Sequence, residues 1–249
     1  MKNFLVIGGT GFIGHHLIKE AQKRKFNVYS VSLTKPKTKR YLKGVKYILA
    51  DISKYKILKK KIKIDFEYVV NAGGYGIHPK FGKEGDKLIK NHFLGLINLL
   101  KVLSLKKIKK FIQIGSSAEY GIAKSPIKES FVCTPHTPYS IAKYLCTKHL
   151  INLFIQQKFP VTIFRLFQVY GPKQDDNRII PFLIKNCLKN KNFFTTKGEQ
   201  LCDFCHVDDA VNAIFKSLNN KKSNGNIFNI GLGKPIQIKK IINLIVKEM

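Results

Sequence analysis

The chain has 249 residues, 44% of them hydrophobic, and carries 45 lysines and arginines against 15 acidic residues for a formal net charge of +30. That length holds one sizeable α/β domain with room for a small second lobe, and no apolar run is long enough to span a bilayer. Only Arg24, Arg40, Arg165 and Arg178 are arginines, and the lysines are scattered along the chain. Nucleic-acid surfaces usually add arginine forks and aromatic platforms, so the charge is read as a solvated lysine-rich surface that attracts acidic ligands, with no nucleic-acid partner. The 5 cysteines are odd in number and form no secreted-domain framework, which suits a reducing, cytoplasmic setting. Cys202-Asp-Phe-Cys205-His206 matches a haem-attachment spacing. With no export signal and no second cysteine pair beside it, the match is read as coincidence, and no metal is expected.

Residues 4–14 read FLVIGGTGFIG, a buried strand running into Gly8-x-x-Gly11-x-x-Gly14. Gly8 suits a tight turn, Gly11 a close backbone approach to a pyrophosphate, and Gly14 close helix–sheet packing. The helix expected over 13–25 aims its free N–H groups at that site. The strand–turn–helix context points to a bound dinucleotide. A second strand over 28–33 leads into Ser30-Val31-Ser32-Leu33-Thr34-Lys35, followed by Lys37, Lys39 and Arg40. Hydroxyls and cations where an acid often meets the ribose favour a 2′-phosphate, so NADP(H) over NAD(H).

A third strand over 46–50 ends at Asp51-Ile52, and Asp51 suits either an adenine amino group or the cap of a following helix. A fourth strand over 66–71 is followed by Ala72-Gly73-Gly74, again open to a close backbone approach. A helix over 88–105 carries the apolar run 93–100, which marks a buried or oligomeric face. A fifth strand over 111–114 delivers Gly115-Ser116-Ser117-Ala118-Glu119-Tyr120-Gly121, a helix starts at Pro138, and a sixth strand spans 161–165. Ile238, Ile241, Ile242 and Ile245 stand at helical spacing in a docked helix over 237–249. The strand–helix alternation predicts an α/β fold with a doubly wound parallel sheet.

Chemistry in such sheets collects at the carboxyl ends of the strands, where Ser117 falls. Tyr139 and Lys143 stand one helical turn apart on one face. An ammonium beside a phenol favours its charged form, so such a pair can take or give a proton. With a serine to hold the reacting oxygen, the three make a proton relay for carbinol–carbonyl interconversion with hydride transfer to nicotinamide. Tyr55/Lys59, Tyr120/Lys124 and Tyr144/Lys148 share the spacing. Only Tyr139 opens a helix behind a proline and follows a strand-end serine.

With these motifs in this order the chain resembles the extended short-chain dehydrogenase/reductase family, in its branch of NAD(P)-dependent nucleotide-sugar epimerases and dehydratases. The likeness runs from Phe4 to about Met249 and is carried further by Arg165-Leu-Phe-Gln-Val-Tyr-Gly-Pro172, Arg178-Ile-Ile-Pro181, Gly198-Glu-Gln-Leu-Cys-Asp-Phe204, His206-Val-Asp-Asp209 and Asn229-Ile-Gly231. The resemblance implies a Rossmann-type sheet over 1–172 and a small C-terminal substrate lobe over 173–249, with 204–220 packing back on the core. It implies Ser117, Tyr139 and Lys143 as catalytic. It assigns Gly8, Gly11, Phe12, Ile13, Gly14, Asp51, Ile52, Ala72, Gly73, Lys143 and Phe167 to the cofactor, and Ser117, Glu119, Gln168 and Arg178 to a nucleotide-sugar. It also implies a homodimer built on the helices over 88–105 and 138–158.

Gln168 stands where the family usually has asparagine, and Cys202 where it usually has an arginine for the substrate diphosphate. The 4,6-dehydratases carry an Asp-Glu pair after the serine or threonine, here Ala118-Glu119, so dehydration is disfavoured. A 4-epimerase with retained NAD is one expectation. An NADPH-dependent 4-ketoreductase of a CDP- or dTDP-4-keto-deoxysugar is the other, since Ser-Ser-Ala-Glu-Tyr-Gly and Thr196-Lys-Gly-Glu-Gln200 are similar to CDP-deoxysugar synthases. A non-enzymatic NADP sensor on the same fold is a third, and it has no use for the relay.

Overall fold

The computed structural model describes residues 1–74 and 79–249. In chain order the elements are β1 (Asn3–Ile7), α1 (Phe12–Lys23), β2 (Asn27–Ser32), β3 (Lys46–Leu49), α2 (Tyr55–Lys61), β4 (Tyr68–Asn71), α3 (Lys83–Val102), β5 (Lys110–Ser116), α4 (Pro138–Gln157) and β6 (Val161–Leu166). They continue with β7 (Gln168–Tyr170), α5 (Ile179–Cys187), β8 (Leu201–Cys202), β9 (Phe204–His206), α6 (Val207–Ser217), β10 (Ile227–Ile230), β11 (Ile236–Gln237) and α7 (Ile238–Glu248).

Seven strands form one parallel sheet in the order β10-β6-β5-β4-β1-β2-β3. Strands are added outward from β1 in one direction to β3 and from β4 in the other, so the order switches between β1 and β4 and the crevice falls at their carboxyl ends. Phe4 and Val6 face one way, toward Leu17, Ile18, Val211 and Ile214 of α1 and α6. Leu5 and Ile7 face the other, toward Leu58, Leu96, Leu99 and Leu150 of α2, α3 and α4. Strands covered on both faces read as unbroken apolar runs, which is why FLVI and YVV are so plain in the sequence.

Several bounds differ from the expected ones for local reasons. α1 stops at Lys23 because Lys25 turns left-handed, with φ +59°. α3 begins at Lys83 rather than at 88, and Glu84 and Asp86 in its first turn complement the helix dipole. Residues 105–107 form a separate 3₁₀ turn after α3 ends at Val102. Beyond residue 172 the chain returns to the main body twice. α6 packs on α1, and β10 extends the central sheet beside β6. What remains is a small layer of α5 packed on α7, with β8 and β11 pairing antiparallel. Among the described residues no helix is long and apolar enough to cross a membrane.

α1 approaches the turn after β1 closely, backbone against backbone. A Cβ on Gly14 would sit 2.2 Å from the Gly8 carbonyl oxygen and 2.6 Å from Gly9 Cα. Both are backbone atoms, so nothing there yields cheaply. Gly14→Ala is expected to lower unfolding free energy by about 1–3 kcal/mol, the scale of overpacking. Urea titration reads it, and unchanged stability would contradict the packing described.

Candidate active site

The turn after β1 is held by backbone bonds. Gly8 N–H donates to the Val31 carbonyl at 2.8 Å, and Gly11 N–H to the Gly8 carbonyl at 3.0 Å. Gly8 has φ +78°, and a side chain there would meet the Ala72 carbonyl oxygen at 2.9 Å. Gly11 caps α1 without a side-chain bond, and no acid stands in the first turn. The first N–H groups of α1 therefore open to an anion.

This turn borders a cavity of about 230 Å³ at the carboxyl edge of the sheet. Gly8, Gly11, Asp51, Ile52, Ala72 and Gly73 line it. Backbone that comes this close, without side chains in the way, fits a dinucleotide pyrophosphate. Of the other residues expected at the cofactor, Gly14 is spent on packing, and Phe12 and Ile13 pack half-buried against the core on the α1 side. Lys143 and Phe167 are not part of the cavity wall. Asp51 Oδ1 accepts the Ser53 N–H at 2.8 Å, closing a turn ahead of α2, which begins at Tyr55 rather than near 53.

The hydroxyls and cations after β2 have partners within the chain. Ser30 Oγ lies beneath the turn, 2.4 Å from where a Gly9 Cβ would stand, and Ser32 Oγ accepts the Thr10 N–H. Buried Arg40 donates twice to the Lys173 carbonyl, at 3.0 and 2.7 Å, and pairs with Asp175 at 3.0 Å. Lys37 pairs with Asp175 at 2.7 Å and Lys39 with Asp176 at 3.4 Å. His15, on α1, bonds the Arg40 carbonyl through Nδ1 at 2.9 Å. A carbonyl only accepts, so that nitrogen carries the hydrogen. Burial drops the His15 pKa to about 4, and the ring stays neutral at pH 7. The basic segment is a strap tying the loop after β2 to residues 173–176.

At the end of β5, Ser117 opens a 3₁₀ turn, Ser117–Tyr120, against which α4 packs. Thr137 caps α4 in a reciprocal box with Ser140, and Pro138 occupies the first turn. That fixes Tyr139, half-buried, at the mouth of the helix. Lys143 is buried, donates to the Ile114 carbonyl at 3.0 Å, and lies 5.9 Å from the Tyr139 ring centroid.

Glu119 is closed off from solvent by its neighbours. It is 0% exposed, with Oε1 accepting the Ser116 N–H at 2.9 Å and Oε2 paired with Arg165 at 3.0 Å. Arg165 also stacks over the Tyr120 ring at 4.4 Å, and Tyr120 donates to Asn229 Oδ1 at 2.8 Å. Gln168 is exposed on β7, just past β6, and Arg178 is exposed at the cap of α5. Cys202 is half-buried on β8, where burial pushes its thiol pKa up. Cys205 is buried in the core, and among the described residues no three metal-binding side chains come together. A second cavity, of about 350 Å³, lies between α5 and α7 and is bordered by Phe182, Phe194, Thr195 and Gln200.

Sequence reasoning missed several residues in the main cavity. Buried Asn71 ends β4 and bonds Gln113, buried in the middle of β5, at 2.9 Å, and Asn71 Oδ1 accepts the Gly73 N–H at 3.3 Å. A polar residue ending an apolar strand was the available signal. His92 and Cys146 face the cavity from α3 and α4, and neither spacing nor composition marks them.

The Glu119–Arg165 pair carries a prediction. Removing one partner of a buried pair costs about 3–5 kcal/mol, because the other charge is left uncompensated. Arg165→Met is expected to show that loss in urea unfolding, and Arg165→Met with Glu119→Leu to regain much of it. A single replacement that unfolds like the parent would contradict the structural role.

Comparison with known proteins places this geometry. The model of the NAD dependent epimerase/dehydratase family matches residues 4–231. The dTDP-D-glucose 4,6-dehydratase of Dictyostelium discoideum is 28% identical over 98% of this chain, and the chain spans 62% of that protein's length. The CDP-abequose synthase of Salmonella typhimurium is 27% identical over 97% of this chain and 79% of its own. The crystal structure of UDP-glucuronic acid 4-epimerase from Bacillus cereus, in complex with UDP-glucuronic acid and NAD, superposes with a TM-score of 0.84 at 27% identity, covering 98% of this chain and 80% of that one. With the matched region embracing the glycine turn, the seven-stranded sheet and the Tyr139 helix, the chain belongs to the NAD dependent epimerase/dehydratase family of extended short-chain dehydrogenases/reductases.

Proposed function

We propose that the chain is a nucleotide-sugar 4-epimerase that keeps NAD(H) through its cycle, with Tyr139, Lys143 and Ser117 as its catalytic residues. The observation that carries this reading is Lys143. Its buried ammonium is bonded to the Ile114 carbonyl and stands beside the Tyr139 ring, on a helix packed against the Ser117 turn. Bound nicotinamide supplies acceptance and return of hydride at the sugar carbon. Tyr139 takes the proton from the sugar C4 hydroxyl and later gives it back. Ser117 donates a hydrogen bond to the same oxygen. Lys143 stabilises the negative charge that develops on the tyrosine oxygen, from a site where water is excluded and the charge acts strongly.

The cavity bordered by Gly8, Gly11, Ala72 and Gly73 takes the dinucleotide. NAD(H) is favoured over NADP(H) because Lys37, Lys39 and Arg40 are committed to residues 173–176. Gln168 and exposed Arg178 meet the nucleotide-sugar, with Arg178 on the diphosphate, since Cys202 is no cation. The cavity between α5 and α7 suits the nucleotide base, with aromatic walls and the Gln200 amide. α3 and α4 serve a homodimer, with Leu145 and Ile155 of α4 exposed apolar residues. Dehydration is not proposed: Ala118 offers no acid and Glu119 is occupied.

A second reading, a 4-ketoreductase of a CDP- or dTDP-4-keto-deoxysugar, is favoured by one feature. β2 ends in Ser32-Leu33-Thr34, with no carboxylate for the ribose hydroxyls. The likeness to CDP-abequose synthase points the same way.

Tyr139→Phe keeps the ring and removes the proton. It is expected to lower kcat for interconversion of UDP-glucose and UDP-galactose by about 10²-fold or more, with the content of bound dinucleotide unchanged. Parental turnover by Tyr139→Phe would remove the relay from this reading.

A further inference from the structure

His92 stands on α3 with its side chain in the wall of the dinucleotide cavity. On one side its ring rests against Gly74, where a Cβ would come within 2.6 Å of Cε1. Only a glycine leaves room for it. On another side it meets the Tyr139 ring edge-on, with centroids 6.4 Å apart and planes at 84°. Its own carbonyl accepts the Cys146 thiol at 3.9 Å, which ties this turn of α3 to α4 one turn beyond Lys143. Tyr139 does not border the cavity, and His92 does. Among the described residues, the imidazole thus touches both the cavity and the phenol.

We infer that His92 is a positioning residue for Tyr139: its ring, backed by Gly74, sets the plane in which Tyr139 presents its hydroxyl to the sugar. The inference rests on the reading of Tyr139 as the proton-transfer residue. Edge-to-face aromatic pairs have a preferred geometry, so the imidazole favours one orientation of the phenol ring. The charge state agrees with the role. Burial, reinforced by the Lys143 ammonium, drops the His92 pKa to about 3. The ring therefore stays neutral and puts no second positive charge beside Lys143. An imidazole packs like a small aromatic ring here, and an aliphatic residue has no edge to offer.

The test uses the full chain with UDP-glucose as substrate, comparing His92→Val with His92→Phe. A displaced reacting group costs up to about 10²-fold in rate. His92→Val is expected to lower kcat about tenfold on that scale, with KM for UDP-glucose and bound dinucleotide both little changed. His92→Phe restores the edge-on ring and is expected to recover most of kcat. The inference is overturned if His92→Val turns over like the parent, or if His92→Phe is as slow as His92→Val. It is equally overturned if the loss of kcat follows loss of bound dinucleotide, which would make His92 part of the cavity wall alone. A parent chain that binds dinucleotide and interconverts no nucleotide-sugar defeats the proposed function and this inference with it. An active parent with an indifferent His92→Val defeats the inference alone.

Discussion

The Lys143 ammonium donates to the Ile114 carbonyl at 3.0 Å, and through that bond the first turns of α4 are fixed to the end of β5. A lysine can be buried here only because a backbone acceptor meets it at the end of its stem. Ile114 lies in β5, two strands away from β1 in the sheet. The Tyr139 helix and the glycine turn therefore share one sheet as their frame. The capping box at Thr137 and Ser140 starts the helix in register with that bond. Beneath the Ser117 turn, the Glu119–Arg165 pair holds the strand end in place.

How much of this the sequence shows depends on how far apart the partners stand along it. The glycine turn is legible because positive φ at Gly8 and backbone contact at Gly14 are demands that glycine alone meets. Tyr139 and Lys143 are legible because a proline, a cap and an i, i+4 spacing are all local. The strap is not. Arg40 finds its acceptor at Lys173, 133 positions away, and in isolation Lys37, Lys39 and Arg40 look like a phosphate site. The partner of Glu119 is hidden for the same reason, since Arg165 lies 46 positions on. His92 and Cys146 sit on neighbouring helices that periodicity describes one at a time.

Glu119 is held beneath the Ser117 turn, 0% exposed and paired with Arg165. Lys37 and Arg40 are tied to Asp175, and Lys39 to Asp176. The strap has a mechanical consequence. It joins the loop after β2, beside the glycine-turn cavity, to the segment leading into α5, whose cap is Arg178.

The central claim is that the cleft over the glycine turn holds NAD(H) and keeps it. The most direct measurement is to denature the purified chain, identify any released nucleotide, and titrate the emptied protein with NADH and NADPH. The account predicts released NAD(H) and tighter binding of NADH. A protein that releases no dinucleotide and binds neither on titration would contradict it.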